Sequence, residues 1–155
     1  MKKYFLVATI LFSVAIAANA QAPYNKAIGI KFPSGITATY KNFISDKSSI
    51  ELQAGFLPDA FRVAGLYEFN FFNLGNIEGL GWYVGPGVHF QAYKNSYQKE
   101  NNVKSEFGVD GIIGLDYKFN NLPINISADW QPSVALVGDS GGSVSNGGIA
   151  IRYTF

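Results

Sequence analysis

The sequence predicts an all-β chain that closes into an eight-stranded, antiparallel, up-and-down β-barrel crossing a membrane. Three observations lead there. Apolar and polar residues alternate with period two in eight segments of about ten residues, and an even number of such segments is the pattern of a transmembrane barrel. No window holds a sustained helical period with caps, and after residue 20 no apolar run is long enough to span a bilayer as a helix. Gly, Phe and Tyr are abundant (17, 13 and 9 residues) while charged residues make up only 15% of the chain, a balance that favours strands.

The chain opens with Lys2 and Lys3, an apolar run from Tyr4 to Ala18, and the small residues Ala18-Asn19-Ala20. That order of charge, short apolar run and small residues predicts a cleaved secretory signal peptide over 1–20, with the barrel domain over 21–155. There is no Cys, so no disulfide framework, thiolate chemistry or lipoprotein anchor is expected. Removing the two signal lysines from 12 basic residues leaves 10 against 11 acidic ones. A balance so near zero provides no field for nucleic acid, which is not expected as a partner.

The first strand is predicted over Ala27 to Phe32, with Ile28, Ile30 and Phe32 opposite Gly29 and Lys31, and Pro33-Ser34-Gly35 turns the chain. The second, Ile36 to Phe43, sets Ile36, Ala38 and Tyr40 against Thr37, Thr39 and Lys41. The third, Ser49 to Phe56, alternates Ile50, Leu52, Ala54 and Phe56 with Glu51, Gln53 and Gly55, and Leu57-Pro58-Asp59 turns again. The fourth, Ala60 to Phe71, opposes Phe61, Val63, Tyr67 and Phe69 to Arg62, Glu68 and Asn70. The fifth, Leu80 to Tyr93, carries Trp82, Val84, Val88 and Phe90 on one face and Tyr83, His89 and Gln91 on the other; Pro86 within it suggests a bulge or bend. After a polar loop, Lys94 to Ser105, the sixth runs from Glu106 to Lys118, with Phe107, Val109, Ile113, Leu115 and Tyr117 facing away from Glu106, Asp110, Asp116 and Lys118. The seventh, Ile124 to Ser133, opposes Ile126, Ala128 and Trp130 to Asn125, Ser127, Asp129 and Gln131. A Gly/Ser-rich loop leads to the last, Gly147 to Phe155, where Ile149, Ile151, Tyr153 and Phe155 share a face.

A one-residue slip would turn Arg62 and Arg152 to lipid, at about 2–4 kcal/mol each near the midplane. The polar face is therefore expected inside. Eight strands enclose a space that side chains just fill. The expected lumen network is Lys31, Lys41, Arg62 and Arg152 against Glu51, Glu68, Asp110, Asp116 and Asp129. A final hairpin centred between residues 140 and 141 would set Asp129 across from Arg152, and the turn at Ser45 to Ser48 brings Glu51 near Lys41. The network reads either as neutralisation of buried charge or, more sharply, as a proton or ion path. Aromatic residues fall into two expected girdles: Phe32, Phe56, Phe61, Phe90, Phe107 and Trp130 at the outer interface, and Tyr40, Phe69, Tyr117 and Tyr153 at the inner one.

Two motifs invite enzymatic readings. Gly138-Asp139-Ser140-Gly141-Gly142 matches the string around a protease nucleophile, but only His89 is available as base and the string lies in a Gly/Ser-rich loop. His89 with a Ser two residues on would resemble the lipid A deacylases, yet Gln91 stands there. No acidic or His cluster has metal-site spacing, so no catalytic residue, metal or cofactor is expected.

The terminal strand, with Tyr153 and Phe155 where the barrel-assembly signal places its apolar residues, resembles that of Gram-negative outer-membrane barrels. Together with Gly114-Leu115-Asp116-Tyr117-Lys118-Phe119 and the run from Leu122 to Pro132, it makes the chain similar to small eight-stranded barrels of the OmpA-like and OmpX-like kind, including short forms from Bacteroidetes. The resemblance implies export to the bacterial outer membrane, contact with its lipid, and recognition by the barrel-assembly machinery. The leading expectation is a structural or surface-interaction barrel, without enzymatic activity, whose loop 94–105 offers Tyr97, Lys94, Lys99, Glu100 and Lys104 to an extracellular partner. A solvated loop has the same composition. The alternatives are a narrow pore or transporter, a lipid-modifying enzyme, and a secreted soluble barrel carrying a ligand.

Overall fold

The computed structural model describes residues 22–95, 105–138 and 146–155. The expected signal peptide, most of the loop 94–105 and all but Gly138 of the protease-like string lie outside the described residues. The strands are β1 (Lys26–Pro33), β2 (Ile36–Phe43), β3 (Ser48–Phe56), β4 (Ala60–Phe72), β5 (Leu80–Tyr93), β6 (Glu106–Lys118), β7 (Ile124–Gln131), β8 (Ser133–Val137) and β9 (Asn146–Thr154), with one 3-10 turn at Leu74–Asn76. All ladders are antiparallel: β1 to β7 pair in chain order, β8 lies on β6, β9 pairs with β7, and the ladders β5–β6 and β1–β9 close the sheet into a ring.

β7 and β8 are two arms of one strand. Both lie on the same edge of β6, in one register as far as Ala135 (Ile113 opposite Trp130, Asp110 opposite Ser133, Gly108 opposite Ala135) and shifted by one at Phe107 opposite Val137; Pro132 interrupts the ladder because it has no N–H to give. Its carbonyl still accepts from Gly111 N at 2.9 Å. The barrel therefore has eight staves, and the seventh extends to Val137, four residues past its expected end.

The register fixes the geometry. From Ile28, one route of paired residues runs through Tyr40, Leu52, Gly65, Val88 and Val109 to Val134, and the other through Tyr153 to Ile124. The two routes meet on one strand ten residues apart, since 134 − 124 = 10. With strands about 4.8 Å apart and a rise of about 3.3 Å per residue, this stagger tilts the staves by about 40°, within the range of small closed barrels.

Pro86 makes no bulge. The β4–β5 register is the same on either side, Leu66 opposite Gly87 and Phe69 opposite Val84, and only the pairs at Tyr67 and Glu68 drop out. The cost of the proline is confined to one edge, because β5 remains continuously paired with β6. Gly85 permits the close approach there, where a Cβ would collide with the carbonyl of Tyr67.

The alternation resolves into an apolar outside and a polar inside. Ile30, Leu52, Val88, Ile113, Ile151 and Phe56 (63% exposed) stand on the outer wall. Phe56 and Phe61 pair across strands with rings 5.2 Å apart at the end carrying the Pro33 and Pro58 turns. At the opposite end Phe71 stacks on Trp82 at 4.5 Å and Tyr117 meets Phe119 at 4.9 Å. Two expected girdle members sit nearer mid-strand. Tyr40 is opposite Ile28 and Leu52, and Trp130 is opposite Ile113, six residues along β6 from Phe107. Both strands continue past those aromatics, so neither residue marks a strand end.

Candidate functional site in the barrel interior

Period two sends the even positions of β4 and β6, and the odd positions of β3 and β7, into the lumen. Charged side chains carried there must find partners, because an unpaired buried charge is costly. All nine expected lumen charges are found inside, with Lys41, Glu51 and Glu68 wholly buried and the Asp129 carboxylate fully covered.

Toward the Phe155 end, Arg152 is the hub. Its Nη2 lies 2.8 Å from Glu51 Oε2; Nε donates to Thr39 Oγ1 at 3.1 Å, and Nη1 to Ser127 Oγ at 2.6 Å and Asn125 Oδ1 at 3.3 Å. Lys41 Nζ is 2.8 Å from Glu68 Oε2 and 4.2 Å from the centre of the Tyr83 ring, so a carboxylate and an aromatic face share its charge. Ser49 Oγ donates to Glu68 at 3.0 Å and accepts from Asn70 at 2.8 Å. Asn125 Nδ2 donates to Asp116, and the Tyr24 hydroxyl donates to the other Asp116 oxygen at 3.3 Å. Tyr24 precedes β1, packs edge-on against Phe43 at 5.0 Å, and covers this end of the lumen. Burial, then the charge of Asp116, pushes its phenol well above the usual tyrosine range.

Toward the Pro33 end, Lys31 Nζ is 2.6 Å from Asp129 Oδ1 and donates to Gln131 Oε1 at 3.2 Å. Tyr83 donates to the second Asp129 oxygen at 3.0 Å. Arg62 Nη2 and His89 Nδ1 converge on Asp110 Oδ1, at 2.7 and 2.9 Å. A carboxylate only accepts, so Nδ1 of His89 carries a proton. Nε2 of His89 faces Glu106 at 3.5 Å without a hydrogen bond, and Glu106 accepts from Tyr93 at 3.2 Å.

The expected pairing of Asp129 with Arg152 does not form. Asp129 is opposite Gly148 and Arg152 is opposite Asn125, a register displaced by four residues from the expected one. The hairpin is centred two residues nearer the N-terminus than expected. Lys41 and Glu51 are backbone partners, yet Lys41 bonds to Glu68 and Glu51 to Arg152. Sequence reasoning put Glu106 on the polar face of β6 but left it out of the lumen network, although it is buried there, and it missed Tyr24, which no strand pattern covers. It also missed an apolar cluster within the lumen, Leu66, Tyr83 and Ile112. Leu66 lies between Arg62 and Glu68 on β4, and Ile112 between Asp110 and Asp116 on β6, so this cluster stands between the two ionic groups.

Among the described residues no group of three or more His, Asp or Glu could hold a metal ion. Tyr153 and Phe155 point outward, their rings 6.3 Å apart, and the backbone of Phe155 exchanges two 2.9 Å hydrogen bonds with Lys26.

These features define a class: a closed antiparallel barrel of eight staves, apolar outside and ion-paired inside. No protein-family model and no curated protein matches the chain. Among solved structures it is similar to the solution NMR structure of E. coli outer membrane protein W, at 13% identity and a TM-score of 0.48, over 85% of this chain and 98% of that one. The fold assignment above rests on the strand pairing itself.

Proposed function

We propose that the chain is an integral barrel of the bacterial outer membrane, of the small OmpA-like or OmpX-like kind, with a structural or surface-interaction role and no enzymatic activity. The observation supporting this most directly is the inversion of polarity. Large apolar side chains occupy the outer wall on every stave, whereas Lys31, Lys41, Glu51, Glu68, Asp116 and Arg152 are buried at the centre. A soluble ligand-carrying barrel needs the reverse arrangement, and so large an apolar surface in water would drive association. The filled interior weighs against the pore reading, because Leu66, Tyr83 and Ile112 occupy the lumen between the ionic groups. On this reading loop 94–105 faces an extracellular partner, and Tyr153 and Phe155 serve the assembly machinery.

Expression of the full chain in a Gram-negative host tests the proposal. Recovery in the outer-membrane fraction, with a gel mobility that differs between boiled and unboiled samples, is expected. Recovery as a soluble periplasmic or secreted protein would overturn it. In planar bilayers the purified barrel is expected to be silent, and steady single-channel steps would move the pore reading to first place.

A further inference from the structure

His89 is buried, and each of its ring nitrogens faces a carboxylate of β6. Nδ1 carries a proton and donates to Asp110 Oδ1 at 2.9 Å. Nε2 lies 3.5 Å from Glu106 Oε1 and has no hydrogen-bond partner. In a neutral imidazole with its proton on Nδ1, Nε2 presents a lone pair, and the carboxylate opposite presents another. Two buried acceptors set face to face repel. Nε2 has essentially no surface open to water, so neither a water nor a larger ligand can come between them. A single proton needs no such space and turns the contact into a charge-assisted hydrogen bond.

Charge balance leads to the same place. Among the described residues, the ionisable groups touching His89 or its two partners are Arg62 of β4, 2.7 Å from Asp110 Oδ1, and Tyr93 of β5, which donates to Glu106 Oε2 at 3.2 Å. Gln131 of β7 donates to the second Asp110 oxygen at 3.3 Å, and Lys31 of β1 is engaged by Asp129 instead. One fixed cation thus meets two buried carboxylates, and an imidazolium makes the count two against two. The fold also makes room for the ring: Gly108 is paired opposite His89, and a Cβ there would lie 2.6 Å from the imidazole Cε1.

We propose that His89 and Glu106 form a buried proton-binding site that clasps β5 to β6. The proton comes from solvent and forms an N–H bond with the Nε2 lone pair, imidazole being a stronger base than a carboxylate. With it in place, hydrogen bonds run unbroken from Arg62 through Asp110, His89 and Glu106 to Tyr93, linking β4, β5 and β6. Without it, Nε2 and Glu106 repel and the clasp opens between them, while the Nδ1 bond to Asp110 remains.

His89 is the chain's one histidine, so its imidazole gives a single pair of nitrogen signals. The full chain, without added histidines, is labelled with nitrogen-15 histidine, folded in detergent micelles and followed by NMR from acid to alkaline pH. Two variants accompany it, each checked for folding by its gel mobility. Glu106→Gln keeps an acceptor for Tyr93 but removes the charge, and His89→Asn keeps a donor toward Asp110 but cannot titrate. The expected result is a step in which Nε2 alone loses its proton while Nδ1 stays protonated throughout. In Glu106→Gln the same step should require a proton concentration about tenfold higher or more. Amide exchange at the end of the β5–β6 ladder, where Gln91 pairs with Glu106, should be slower in wild type than in His89→Asn on the acid side of the step and equal on the alkaline side. If Glu106→Gln does not fold, the nitrogen signals of wild type and this exchange comparison decide. A ring that stays singly protonated wherever the barrel is folded, loss of the Nδ1 proton instead, the same titration in wild type and Glu106→Gln, or equal exchange on both sides of the step would overturn the proposal.

Discussion

Arg152 holds four partners drawn from three other staves, and its guanidinium is fully buried. Its contribution is best judged by what its loss leaves behind. Arg152→Met would strand Glu51 as a buried, uncompensated carboxylate and is expected to destabilise the folded barrel by about 3–5 kcal/mol, read from urea unfolding in lipid vesicles. The double change Arg152→Met with Glu51→Gln should recover much of that loss, because it removes the stranded charge. A near-neutral single variant would mean that water reaches the site. Tyr24 gives a second residue-scale prediction, in pH. A phenol whose pKa is raised by folding contributes stability that is present below its unfolded value near 10 and is lost as pH rises through the folded one. The difference in ultraviolet ionisation between wild type and Tyr24→Phe should therefore show no titration near pH 10 while the barrel is folded. A tyrosine ionising there would place Tyr24 in solvent.

For the staves, side-chain direction was readable from sequence and pairing partners were not, for one physical reason. Alternation fixes a face because the strand period is two. A register shift of any even number of residues leaves every face unchanged, and the final hairpin shifted by four. Asp129 and Arg152 thus kept their inward positions while changing partners, to Lys31 and Glu51 respectively. Loop residues carry no period, so the hairpin's centre could not be located, and the expected end of the seventh strand at Ser133 falls short of Val137. Tyr24 escaped because a residue outside the strands has no face to assign. Leu66 and Ile112 escaped for the opposite reason: an apolar residue on a polar face reads as noise, yet both fill the lumen. The same alternation yields a prediction for β1, where Ile30 is exposed on the outer wall and Lys31, the next residue, is buried. Ile30→Lys is expected to cost about 2–4 kcal/mol in vesicles if it lies near the midplane. A soluble barrel would accept that change with little effect.

At the scale of the whole molecule, a stagger of ten residues over eight staves sets the width, and the width sets the character of the interior. The lumen is narrow enough for paired charges and one apolar cluster to fill most of it, leaving a small cavity near one mouth. Fold class was legible in the sequence as an even count of alternating segments; biological role was not, because the long loops carry no period and the one motif in them, Gly138 to Gly142, has no catalytic partners in the sequence. The central claim is that the apolar wall faces lipid. The chain has two tryptophans, Trp82 and Trp130, both on outward-facing positions of their staves. The barrel should be folded into vesicles whose acyl chains carry bromine, a contact quencher of indole, and its fluorescence compared with that in unbrominated lipid. Strong quenching, with a blue-shifted emission in the unbrominated vesicles, is the result predicted here. Equal fluorescence in both lipids, with quenching by aqueous iodide instead, would place the outer wall in water and contradict the account.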